Sequence, residues 1–113
     1  MKCNLFVDDL RTGPCNGWTE TQKGWENWIV VRSVENAKWF LQQGLVENLS
    51  LDNDMGKNSE TGLLNPTGLD LVKWMIESGF WPEGVITIHS ENFINAQRMK
   101  DDIDMYRPNF DNA

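Results

Sequence analysis

The sequence is short of cysteine, of basic residues and of long apolar runs, and each shortage excludes a class of protein. Cysteine occurs twice, as Cys3 and Cys15, with no metal-ligand spacing. That argues against a thiolate zinc site and a disulfide framework. Both read as free thiols, with a Cys3–Cys15 disulfide as the lesser alternative. Lys and Arg number 10 against 17 Asp and Glu, for a formal net charge of −7. Nucleic-acid backbones are gripped by basic stripes, so this balance excludes them as partners. No apolar run approaches a membrane span, and the opening MKCNLFVDD lacks a signal-peptide pattern. A cytoplasmic chain without membrane attachment is expected.

What is present fits one globular domain. The 113 residues are 40% hydrophobic and 24% charged, enough for a single core over 1–113, with a frayed tail at about 108–113. Six tryptophans are many for this length and read mostly as core or pocket walls. Residues 2–7 form a short apolar run that reads as a buried strand. Gly13, Pro14, Gly17 and Gly24 punctuate residues 8–27, which read as loop. WIVVR, 28–32, is a second, β-branched strand. Ser33 caps a helix with Val34, Ala37, Phe40 and Leu41 at helical spacing, and Gly44 stops it. Residues 49–51 make a brief third strand. The loop GKNSETGLLNP follows, long enough to imply function or mobility. Leu69, Val72, Met75 and Ile76 predict a helix ending near Gly79, and VITIH, 85–89, a fourth strand. Phe93, Ala96, Met99, Ile103 and Tyr106 define a last helix.

Strand and helix alternate, and the strand runs are apolar throughout. That pattern implies a parallel sheet covered by helices on both faces. Ligands in such sheets sit at the carboxyl ends of the strands, near the point where strand order reverses. Those ends carry Asp8 and Asp9, then Asp52 with Asp54 close by, then His89 and Ser90. Gathered carboxylates repel each other, and a bound cation reverses the sign of that interaction. The blander account makes Asp8-Asp9 a turn and Asp52-Asn53-Asp54 an Asx-rich loop start.

Five stretches carry a more specific signal: FVDDLR at 6–11, GPCNGW at 13–18, SLDNDMG at 50–56, TGLDLVKWM at 67–75 and IHSEN at 88–92. In this order the chain resembles the cyclic-phosphate-processing receiver domain family, a divergent branch of the response-regulator receiver fold. It departs from the family's usual residues at Asn53 (more often His), Met55 (Leu) and Phe93 (Pro). The resemblance implies an α/β, receiver-like (flavodoxin-like) three-layer sandwich with about four parallel strands. It also implies metal-dependent handling of cyclic phosphate esters of nucleotides. A phosphoesterase of this kind would take a small-molecule nucleotide with a cyclic phosphate as partner.

Residue chemistry then distributes the roles. Asp8, Asp9, Asp52 and Asp54 are the candidate ligands for Mg2+ or Mn2+, hard cations that favour oxygen donors and keep room for phosphate. His89, the single histidine, is the natural proton carrier near neutrality, and with Asp52 makes up the candidate catalytic pair. A histidine closing a strand with a structural hydrogen bond is its plainer alternative. Ser90 caps the last helix, whose start is a ready anion site, and Ser90 and Asn92 are assigned to phosphate or sugar. Thr67 and Gly68 open the preceding helix and take the same role with less force. Arg11 reaches a phosphate or forms a surface ion pair. Of Trp18, Trp25 and Trp28, one could stack on a base, and at least two are expected to be core cover. Two other classes compete with the enzyme. One is a module that captures a cyclic nucleotide without cutting it. The other, ranked last, is a signalling receiver phosphorylated on Asp52, since the lysine that ordinary receivers carry on a fifth strand is not found.

Overall fold

A computed structural model describes residues 2–10 and 28–108. Arg11, Cys15, Trp18, Trp25, residues 11–27 of the loop read over 8–27 and the tail 109–113 lie outside the described residues. The elements run β1 Cys3–Val7, β2 Trp28–Val31, α1 Val34–Gln42, β3 Val46–Leu51, α2 Gly68–Ser78, β4 Ile86–Ile88 and α3 Phe93–Tyr106. The strands form one sheet, parallel throughout, in the order β2-β1-β3-β4. This is the receiver-like α/β arrangement. Among the described residues no helix is long and apolar enough to cross a membrane.

The crossovers β2-α1-β3 and β3-α2-β4 advance in the same direction across the sheet. Right-handed connections therefore lay α1 and α2 on one face. There α1 packs on α2 and α2 on α3. Leu5, Val7, Leu49 and Leu51 meet Ala37, Leu41, Leu71, Val72, Met75 and Met99 in the buried core. Side chains alternate along a strand, so their strand neighbours point to the other face. Phe6 is the register partner of Ser50, and Ser50 of Thr87. Two residues further along, that face leads to Asp8, Asp52 and His89.

The helix ends obey local chemistry. Ser33 caps α1, its Oγ accepting from the Asn36 amide. Thr67 and Asp70 form a reciprocal capping box on α2, and Gly79 closes that helix in the left-handed region at φ 79°. Three expectations change. β3 begins at Val46 rather than Leu49, because backbone pairing with β1 tolerates the polar Glu47 and Asn48. The Asn48 amide is itself satisfied, donating to Asn4 Oδ1 and accepting from the Val85 amide. Asn92, not Ser90, caps α3 by accepting from the Asn95 amide. On α3 only Met99 and Ile103 are buried, while Phe93 and Tyr106, near its two ends, are exposed. The loop after β3 is tied down by a Lys57–Leu64 bridge and by Asn58 Oδ1, which accepts from the Glu60 and Thr61 amides.

Gly68 shows how tightly α2 is set under β3. A Cβ there would fall on the Asp52 carbonyl oxygen and lie 3.1 Å from the Asn53 Cα. Backbone cannot yield as a side-chain tip can, so Gly68→Ala is expected to destabilise by about 1–3 kcal/mol as an overpacking change. For a domain near this size that lowers the melting temperature by roughly 4–12 °C. Thermal unfolding measures it, and an unchanged midpoint would show that the contact is looser than the geometry requires.

Candidate metal and phosphate site

The site forms because three adjacent strands end level with one another. Val7, Leu51 and Ile88 are the last residues of β1, β3 and β4, and register pairs Val7 with Leu51 and Leu51 with Ile88. The next residue of each strand is Asp8, Asp52 and His89. Each of the three offers one ligand-capable atom, and these atoms lie within 4.8 Å of one another. Asp8 is 1% exposed and Asp52 9%. Two acids this close and this buried repel, and the local bonds offset part of that. Asp8 Oδ1 accepts from the Leu10 amide at 2.8 Å and Asp52 Oδ1 from the Asn53 amide at 2.7 Å. Arg32 donates to the Asp8 carbonyl at 3.2 Å, which holds the chain at that turn.

His89 is locked from three sides. Its ring stacks on Phe6 with centroids 4.4 Å apart and planes 6° from parallel. Nε2 lies 3.0 Å from Asp8 Oδ2, and Nδ1 lies 2.7 Å from Ser50 Oγ. With Asp8 ionised its carboxylate only accepts, and Nε2 then carries the proton toward it. In the neutral ring Nδ1 then accepts from the Ser50 hydroxyl. Ser50, His89 and Asp8 line up like a nucleophile triad, yet Ser50 is wholly buried and offers no approach to a substrate.

The remaining candidates fall around this centre. Asp9 is half-buried, with one carboxylate oxygen 3.0 Å from where a Gly56 Cβ would stand. Asp54 is exposed and accepts from Asn53 Nδ2 at 3.0 Å. Neither belongs to the three-residue grouping. Ser90 Oγ accepts from the Asn92 amide at 3.0 Å, and Asn92 is committed to its cap. Thr67 is occupied by its capping box, and Gly68 is the close-packed position under Asp52 and Asn53. Arg11 lies outside the described residues. Cys3 is a free thiol, and burial raises its pKa.

Three residues escaped sequence reasoning. Ser50 and Phe6 grip the imidazole. Asn53 ties the loop to α2, its Oδ1 accepting from the Leu69 amide and its carbonyl from the Gly68 amide. One signal for Ser50 stood in the sequence, a lone hydroxyl between Leu49 and Leu51 in an otherwise apolar run.

A receiver-like sheet with acids and a histidine at its strand ends defines the class, and residues 3–105 match the model of the cyclic-phosphate processing receiver domain. The chain belongs to that family. No curated protein and no solved structure matches it.

Proposed function

We propose that the chain is a metal-dependent phosphoesterase acting on the cyclic phosphate of a small nucleotide-type molecule in the cytoplasm. The observation that carries this reading is the convergence of Asp8, Asp52 and His89 within 4.8 Å at three strand ends. The donor set fits a divalent cation. Carboxylate oxygens suit Mg2+ and Mn2+, and a neighbouring imidazole favours Mn2+ of the two. Such a cation, when bound, polarises a phosphoryl oxygen and lowers the pKa of a coordinated water. Asp8 and Asp52 are its oxygen ligands in this reading, with Asp9 and Asp54 close enough in sequence to add to the negative field. As the imidazolium, with Nδ1–H donating to Ser50 Oγ, His89 would give its Nε2 proton to the leaving oxygen and return to the neutral ring. Ser90, Asn92 and the first amides of α3 hold the phosphate or sugar. Arg11 is the further phosphate contact.

One observation favours the non-cutting alternative. The His89 side chain is 3% exposed and both ring nitrogens are engaged. A ring so enclosed suits a capture module. Incubation of the full chain with Mn2+ and a panel of cyclic nucleoside monophosphates separates the two. Phosphorus NMR reads ring opening, and calorimetry reads binding. Ring opening is expected. Tight binding with the ligand recovered unchanged would replace the phosphoesterase with the capture module.

A further inference from the structure

We propose that Ser50 is the positioning residue of this site, the side chain that keeps His89 aimed at Asp8 and Asp52. Its consequence for turnover rests on the phosphoesterase reading, while its hold on the ring does not. Stacking on Phe6 fixes the plane of the imidazole, with the two rings 6° from parallel. It does not fix which way round the ring lies in that plane. A half-turn about the Cβ–Cγ bond preserves the stack and exchanges nitrogen for carbon at both bonding positions. Hydrogen bonds distinguish the two orientations, and the ring meets Ser50 Oγ at 2.7 Å and Asp8 Oδ2 at 3.0 Å.

These two partners are not equivalent. Ionised Asp8 only accepts, so it holds Nε2 only while that nitrogen carries a proton, and its charge is also the one a cation would draw on. The Ser50 hydroxyl can donate or accept. It therefore holds Nδ1 whichever ring nitrogen bears the proton. Ser50 is fully buried in β3 between Leu49 and Leu51, with Phe6 and Thr87 as register partners. An apolar residue would serve the packing there equally well. The hydroxyl is explained by the imidazole it meets.

The test uses the full chain with nitrogen-labelled histidine, which reports on one ring because His89 is the single histidine. Without metal or substrate, the wild type is expected to show one set of ring signals, with Nε2 protonated and Nδ1 in a hydrogen bond. Ser50→Ala should show exchange between orientations or a changed tautomer, and Ser50→Thr should restore the wild-type pattern. If Ser50→Ala does not fold, Ser50→Cys keeps the shape with a somewhat larger atom and replaces the strong donor with a weak one. In turnover, Ser50→Ala should lower kcat by about 10- to 100-fold, as loss of such outer-shell partners does. Affinity for Mn2+ and KM should stay near wild type, because Ser50 bonds to the imidazole and to neither carboxylate. A Ser50→Ala spectrum identical to wild type would overturn the proposal. A wild type that shows the single ring pattern but opens no cyclic phosphate would sink the phosphoesterase reading and still support the placement of Ser50.

Discussion

His89→Gln is expected to lower turnover of a cyclic phosphate by about 100- to 10,000-fold, the range general acid–base catalysis supplies. Ligand affinity should change little. The glutamine amide is of similar reach and can still bond to Ser50 or Asp8, but it has no proton to give near neutral pH. On the phosphoesterase reading, that step depends on the ring's contacts as well as on its type. Phe6 sets its plane, and its Nε2 faces Asp8 at 3.0 Å. Single-turnover ring opening, wild type against variant and with affinity measured separately, gives the ratio. A variant as fast as wild type would reduce His89 to a binding or structural residue, with the leaving oxygen taking its proton from water. A variant that loses affinity in step with rate would show that the ring holds the ligand rather than reacting with it.

The strands and the acids that follow them were legible because a parallel sheet buried on both faces writes its strands as unbroken apolar runs. LFV before Asp8 and LSL before Asp52 mark where those runs end. Which acid of each group joins the centre was not legible. Adjacent residues of an extended chain point to opposite faces, so Asp8 and Asp9 cannot both turn to His89 without a bend. Asp54 sits beyond the point where Asn53 commits its backbone and side chain to the start of α2, and is left exposed. Ser50 and Phe6 were hidden for a different reason. Their meeting with His89 depends on the register of three strands, and the partners stand 39 residues apart between Ser50 and His89. Register is a tertiary property that no local pattern encodes. The helix-start residues carry two readings at once. Thr67, Ser90 and Asn92 look like anion ligands and like caps, since both roles use the same donors and acceptors. In the structure each of the three side chains bonds to a nearby backbone amide.

Mn2+ or Mg2+ is expected to raise the melting temperature of the chain by roughly 10 °C once it reaches about 100 times its dissociation constant. Binding to the native state alone contributes about 2.7 kcal/mol at that ratio. A domain near this length gains about 4 °C or more per kcal/mol. The effect has a physical source in the apo site. Asp8 and Asp52 are 1% and 9% exposed, with ligand-capable oxygens within 4.8 Å, so repulsion between them opposes folding until a cation reverses its sign. Asp52→Asn should abolish the shift, and its own apo melting temperature should rise because the repulsion is gone. That rise separates a lost ligand from a damaged fold, which would lower the apo value instead. Asp54→Asn should keep the shift, since Asp54 is exposed and bonded to Asn53 outside the three-residue grouping. Thermal unfolding of the three proteins across a metal titration gives the result. An equal shift in wild type and Asp52→Asn would place the cation elsewhere. No shift in wild type at saturating metal would overturn the cation site and leave Asp8 and Asp52 as a buried pair held by protein contacts, among them His89 and the two backbone amides.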